Sequence, residues 1–273
     1  MGCSQRDVLS QAVLTGVAVF AEYRRPEAAS SPEFWSANLT SQRRARPLTQ
    51  FRRWAYRTDP RWKLIKRWAH PEGPILDAGC GAGEWVAFLA SQGRAAQGLD
   101  YSTDLIARNR ALYSDLSWDV GDVEDLPYED SVFAAVVSWG VVEHRHHGPL
   151  PALREFARVL RVGGAAIVTV PVDSAGAQRT SKAGDEGPGD PGSAKEFFQY
   201  YMTTTELRDF VAGAGLIPVD SGTIPIASFA MVAPRTYLRL NAPMRYVAQM
   251  LTRIFLSGMS RYRNMTYVVG RKP

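Results

Sequence analysis

From about residue 74 to residue 170, short apolar runs alternate with segments whose apolar residues recur at helical spacing. Residues 75–77, 95–100, 116–120, 132–138 and 165–170 read as strands. The run 132–138 is apolar almost throughout, as expected of a central strand covered on both faces. Residues 84–92, 102–112 and 151–160 read as helices, and in the last of these Leu153, Phe156, Ala157 and Leu160 share one face. Gly93 stops the first helix, and Ser102 offers a side-chain cap to the second. Strand and helix alternating at this spacing predict an α/β chain with a parallel, doubly wound sheet.

The flanks follow other patterns. Residues 1–70 read as several helices ahead of the sheet. Residues 172–195 are dominated by Gly, Pro, Ser and Asp and read as a mobile insertion. A helix over 203–214, a strand over 216–220 and a last strand over 265–269 follow. Between the last two lies a second insertion, rich in Met, Arg and aromatic residues. The expected plan is an N-terminal helical cap over 1–70 and a ligand-binding domain over 71–273, interrupted at about 172–200 and 223–260. No internal repeat is visible.

Composition narrows this modestly. Residues 8–21 are apolar enough to suggest a signal peptide. Only Arg6 precedes them, offset by Asp7, so an amphipathic helix is the expected reading. The run is also too short and interrupted to span a bilayer. Met1-Gly2 fails as a myristoylation start because position 6 is Arg. Two widely separated cysteines, Cys3 and Cys80, argue for a reducing compartment, so a cytoplasmic location is expected. Charge is unevenly spread: 13 Lys/Arg against 5 Asp/Glu over 1–70, 11 against 22 over 71–230, and 8 against none over 231–273. An acidic middle between basic ends predicts either an anionic partner near the ends or basic flanks docked on the acidic core.

The chemistry begins at 75–83, Ile-Leu-Asp-Ala-Gly-Cys-Gly-Ala-Gly. A strand ends at Asp77, glycines alternate at 79, 81 and 83, and a helix starts at Glu84. Glycines permit close backbone approach, and in open α/β sheets ligands sit beyond the carboxyl ends of the strands. The dinucleotide pattern G-x-G-x-x-G wants glycine where Glu84 stands, which disfavours a pyrophosphate.

These residues resemble the first motif of the class I S-adenosylmethionine-dependent methyltransferases, closest to the small-molecule group that includes ubiquinone-type methyltransferases. Four further segments match in order: Gly98-Leu99-Asp100, Gly121 to Tyr128, Val142-Glu143-His144 and Arg158 to Gly164, with Val162 where proline is frequent. The resemblance implies a Rossmann-like sheet of seven strands whose last strand is antiparallel, with the N-terminal helices and helical insertions forming a lid. It implies S-adenosyl-L-methionine as the cofactor, held by Asp77, Gly79, Gly81, Gly83, Asp100, Tyr101, Asp122, Val123 and Trp139. Within that set Asp100 takes the ribose hydroxyls, Asp122 accepts from the adenine amino group, and the Val123 backbone faces the ring. Asp77 either holds the glycine turn or reaches the cofactor's amino group through water. Trp139 lines the cofactor or the acceptor pocket, or packs in the core. Cys80 fills the loop. No metal is expected.

The expected reaction is methyl transfer to a small-molecule acceptor at oxygen or nitrogen. A base is needed only where the nucleophile carries a proton. His144 and Glu143 are the candidates, with His146 and His147 read as solvated. Ser138-Trp139-Gly140-Val141 lacks the Asn/Asp-Pro-Pro-aromatic signature of nucleobase amino methylation, which disfavours nucleic acid. Residues 43–68 interleave ten Lys/Arg with Phe51, Trp54, Tyr56, Trp62 and Trp68. That is either a single-stranded RNA surface or, as preferred, a cap with its apolar face toward the pocket and its arginines in water. The preferred reading suits an anionic acceptor. Residues 235–255 have a basic amphipathic pattern that is read as a helix packed on the domain, with peripheral membrane contact and a lipid-linked acceptor as the alternative. A nicotinamide-dependent oxidoreductase and a non-catalytic binding module complete the rivals.

Overall fold

The computed structural model describes residues 20–24, 34–35, 50–172, 196–224, 244, 247 and 265–273. Among them nine strands form two sheets. The larger has the order β4-β3-β2-β5-β6-β9-β8, with β2 Ile75–Ala78, β3 Ala96–Asp100, β4 Ser117–Val120, β5 Phe133–Trp139, β6 Leu160–Pro171, β8 Ile217–Ile224 and β9 Met265–Arg271. Pairing is parallel from β4 through β6, and β9 runs antiparallel to both of its neighbours. The seven-stranded Rossmann-like sheet with an antiparallel last strand is therefore present.

Burial explains the layering. β5 is buried over six of its seven residues, the signature of a strand covered on both faces. One face packs Leu76, Val136 and Val168 against α5 (Leu150–Val159) and α6 (Thr204–Gly213). The other packs Ile75, Val137, Ile167 and Val269 against α2 (Pro60–Trp68) and α3 (Glu84–Ser91). Ser102 caps α4 (Thr103–Leu112), accepting from the Leu105 N–H. Thr203 and Glu206 close a reciprocal capping box on α6. The chain winds outward through β2, β3 and β4 and returns to the other side of β2 at β5. That reversal opens a crevice between the carboxyl ends of β2 and β5, the place where such sheets bind ligands.

The N-terminal part departs from an all-helical cap. Helices α1 (Gln50–Arg57) and α2 are present, but Phe20–Arg24 is a strand, β1. It pairs antiparallel with β7, Glu196–Tyr201, which lies at the end of the segment expected to be an irregular insertion. A strand of five or six residues needs its partner to satisfy its backbone, and that partner is some 175 residues away. Local pattern could not reveal it. The remainder of the first insertion, the apolar run before β1 and most of 225–264 lie outside the described residues.

Helices α1 and α2 cross the sheet face. Tyr56 packs on Trp85 and Phe88, Trp62 on Phe88, and the Trp68 indole N–H donates to Asp220 on β8 at 2.8 Å.

Candidate functional site

The glycine turn joins β2 to α3. Gly79, Gly81 and Gly83 all have positive φ, at 84°, 50° and 72°. A Cβ on Gly79 would stand 2.4 Å from Val141 Cγ2, and one on Gly83 2.5 Å from the Trp118 ring. Both the conformation and the space therefore require glycine. The turn is pinned from β3: the N–H groups of Gly79 and Cys80 donate to the Leu99 carbonyl, and the Gly81 N–H donates to Asp100 Oδ2 at 2.9 Å. Asn109 donates to the Gly81 carbonyl. Cys80 is buried and packs against Trp118, Val86 and Ile106, as a loop filler would.

Asp100 is buried at the end of β3. Burial pushes its carboxyl upward, opposed by N–H groups of Ser102, Gly81 and Tyr101. Asp77 is 1% exposed, and its Oδ1 has no hydrogen-bond partner among the described residues. Burial pushes it up to about 7, the nearby Arg61 cation pulling down and Asp100 adding to the rise. Arg61 comes from α2. Its guanidinium grips Asp59 through two nitrogens, at 3.0 and 2.9 Å, and lies 4.8 Å from the Trp85 ring and 5.5 Å from that of Trp139. The arginines of the cap are thus not all in water, and this one reaches the crevice.

On β5, Trp139 is half-buried, and its Nε1 has no acceptor among the described residues. It lies in register with Thr169 on β6, whose Oγ1 is also buried without a partner. Each such orphan costs about 1–3 kcal/mol unless something fills the site. Three of them, with Asp77, cluster at the carboxyl ends of adjacent strands.

Asp122 and Val123 follow β4. Val123 packs beside Leu99 in the core. Asp122 is only half-buried, and its Oδ1 accepts the Glu124 N–H and pairs with Arg145. Arg145 also reaches Glu124 at 3.2 Å. Any adenine contact by the Asp122 carboxylate therefore shares it with Arg145. Tyr101 is half-buried beside Asp100.

Val142–His144 forms a 3-10 turn after β5. Glu143 is 1% exposed, its Oε2 has no partner among the described residues, and burial pushes it up to about 8. His144 Nδ1 lies 2.8 Å from the Phe198 carbonyl on β7. A carbonyl only accepts, so Nδ1 carries the hydrogen and Nε2 is the basic nitrogen of the neutral ring. Trp35 and Phe198 stand edge-on to this ring at 4.9 and 5.0 Å. His146 and His147 are exposed.

The structure thus brings Asp77, the three glycines, Asp100 and Trp139 to one crevice, places Asp122 and Val123 after the next strand over, and sets Glu143 and His144 after β5. Sequence reasoning missed Arg61, Arg145, Thr169 and Phe198. Only for Arg61 was there a local signal, its place in the first turn of a helix opened by Asp59-Pro60. Among the described residues no group of three or more His, Cys, Asp or Glu is arranged to hold a metal ion, and no helix is long and apolar enough to cross a membrane.

Part of the chain is similar to known methyltransferases. Residues 75–164 match the family described as Methyltransferase domain. A probable S-adenosylmethionine-dependent methyltransferase of Mycolicibacterium smegmatis is 30% identical over 147 residues, 54% of this chain and 53% of that one. A demethylmenaquinone methyltransferase of Beutenbergia cavernae is 36% identical over 102 residues, 37% of this chain and 41% of that one. The chain thus matches about half or less of the length of these relatives. A chain of the complex between the Haloferax volcanii Trm112 methyltransferase activator and a methyltransferase superposes with a TM-score of 0.57 at 21% identity, covering 88% of this chain and 95% of that one. That last likeness speaks for the fold.

Proposed function

We propose that the protein, whose residues 75–164 match the family described as Methyltransferase domain, transfers a methyl group from S-adenosyl-L-methionine to an oxygen or nitrogen of a small-molecule acceptor. The observation that carries the reading is the crevice between β2 and β5. There a turn with no room for a side chain at Gly79 or Gly83 meets three buried polar atoms, on Asp77, Trp139 and Thr169, that lack partners among the described residues.

These residues fit the cofactor. Asp100, tied to the turn through one oxygen, presents the remaining lone pairs of its carboxylate to a diol. Asp77 offers an acceptor to an ammonium group. When bound, S-adenosyl-L-methionine supplies an already activated methyl group, so the protein's tasks are orientation and exclusion of water. Where the acceptor atom carries a proton, His144 Nε2 takes it, with the ring held by the Phe198 carbonyl and the edges of Trp35 and Phe198. Glu143, pushed up to about 8, is mostly protonated at neutral pH and suits holding a proton better than removing one.

The aromatic setting of His144 and the basic α1–α2 cap favour an acceptor with a flat apolar part and an anionic group. The demethylmenaquinone methyltransferase among the relatives is in keeping with a flat acceptor. The reading carries no nucleic-acid partner. A cytoplasmic location belongs to this reading, and peripheral membrane contact by residues 235–255, most of which lie outside the described residues, is its alternative.

The test is a screen of small-molecule extracts and pure phenols, amines and carboxylates with methyl-labelled cofactor, beside a melting assay with S-adenosylhomocysteine. At about 100 times its Kd, the product should add roughly 2.7 kcal/mol of stability. Stabilisation by NAD and none by S-adenosylhomocysteine would overturn the reading in favour of an oxidoreductase. Stabilisation without any label transfer would favour a binding module.

A further inference from the structure

Helices α1 and α2 carry a cationic surface that neither the fold nor the crevice uses. Between Gln50 and His70 the one carboxylate is Asp59, which is buried and bound to Arg61. Arg53, Arg57, Lys63, Lys66 and Arg67 are exposed, and Arg61 turns inward toward the crevice. Among the described residues Arg53, Lys63 and Lys66 have no carboxylate in ion-pair reach, and Arg67 stands 4.0 Å from Asp220 with its side chain 70% exposed. Like charges at i, i+3 and i+4, as at Lys63, Lys66 and Arg67, weaken a helix. A helix face that meets only water commonly mixes the two signs. These charges share one side of the molecule. α2 and α3 cover the same face of the sheet, and α1 lies on α3 through Tyr56, stacked on Phe88 at 5.2 Å. The exposed side chains of that layer point away from the sheet. Trp54 stands among them, alone of the tryptophans in being exposed.

We propose that the outer face of α1 and α2, with Arg53, Trp54, Arg57, Lys63, Lys66 and Arg67, is a docking surface for a bilayer that contains anionic lipid. The proposal goes beyond the methyl-transfer reading and does not depend on it.

Charge complementarity and the state of the aromatic side chains select this partner. Single-stranded RNA needs a basic track with several aromatic faces open to its bases. Here those faces are taken. Tyr56 packs on Trp85 and Phe88, Trp62 packs on Phe88 with Lys66 5.7 Å from its ring, and Trp68 donates to Asp220 with Arg67 and Arg271 over its ring at 5.0 and 5.8 Å. One exposed indole is no platform for a strand. Among lysines and arginines it suits the headgroup region, where Trp is enriched. A bilayer also asks no fixed geometry of its cations. Each flexible Lys or Arg near an anionic surface adds attraction over about one Debye length. The surface adjoins the crevice, because α2 turns Lys63, Lys66 and Arg67 outward and Arg61 inward.

The experiment is sedimentation of the full chain with vesicles of phosphatidylcholine, alone or with about one third phosphatidylglycerol. Wild type should sediment with the anionic vesicles, stay in solution with the neutral ones, and be released at about 0.5 M salt. Lys63→Gln combined with Lys66→Gln should weaken binding about 10- to 100-fold and leave the melting temperature unchanged, since both side chains are exposed. Trp54→Ser should weaken it about 3- to 10-fold. Arg154→Gln removes an exposed cation from α5, across the sheet, and should change binding by less than about twofold. No binding of wild type to anionic vesicles would overturn the proposal. Unchanged binding in the double lysine variant would overturn it too, and would place the contact elsewhere, as in residues 235–255. An equal loss per charge in Arg154→Gln would reduce the effect to net charge and overturn it. Tighter binding to a single-stranded oligoribonucleotide than to anionic vesicles, lost in the double lysine variant, would assign the face to RNA instead.

Discussion

The Asp100 carboxylate, at the end of β3, accepts the backbone N–H of Gly81, in the turn after β2, at 2.9 Å. One side chain thus shapes the glycine turn and sits where a cofactor's ribose is expected. The two roles are separable. Asp100→Ala should lower the stability of the ligand-free protein by about 1–3 kcal/mol, because the half-buried Gly81 and buried Ser102 N–H groups lose their acceptor. It should also abolish stabilisation by S-adenosylhomocysteine. Ligand-free melting unchanged while the ligand effect disappears would leave only the ribose role standing.

Gly79 is the position where added bulk is least tolerable. Gly79→Ala combines a left-handed conformation with a 2.4 Å approach to Val141, and should destabilise by about 2–4 kcal/mol. Combining it with Val141→Ala should recover part of the loss but not the share due to the backbone. Denaturant midpoints of the two variants separate the contributions, and full recovery in the double variant would show that conformation is irrelevant there.

Glu143 gives stability a pH dependence of definite sign. Its folded-state value is raised from 4.5 to about 8 by burial. Between those values the native state holds a proton that the unfolded chain releases, so the contribution of this group to stability is fullest below about pH 4 and falls as pH rises toward 8. Asp77, raised to about 7, acts in the same direction. Glu143→Gln should flatten the pH profile and leave the variant more stable than wild type at pH 8. Urea unfolding at pH 5 and pH 8 checks this, and a wild-type midpoint that climbs between them would contradict it.

His144 is the candidate base. If it removes the acceptor's proton, His144→Gln should lower kcat by about 100-fold or more while leaving S-adenosylhomocysteine affinity within about twofold. The acidic limb of the kcat profile should vanish with the imidazole. A variant with normal kcat on an acceptor bearing a proton would leave His144 a structural role only, holding Phe198.

How much of this was legible beforehand follows from the range over which each interaction acts. The glycine turn, the strand ends at Asp77 and Asp100, the Ser102 cap and the apolar run of β5 are local: the residue types and their spacing fix backbone conformation within a few positions. They sufficed for the sheet and its ligand-binding edge. The β1–β7 pairing, the ion pair of Asp122 with Arg145, the Phe198 carbonyl that orients His144 and the approach of Arg61 to Asp77 were not legible.

Each of those depends on segments distant in the chain meeting at one place. A strand of five residues has no periodicity long enough to announce itself, and a buried arginine looks like a solvated one until its neighbours are known. The sequence by itself determined a Rossmann-like sheet with a glycine turn and two carboxylates at its edge. Only the tertiary structure decided which polar atoms there are left without partners, because a hydrogen bond is satisfied or missing according to what the rest of the chain brings within about 3 Å.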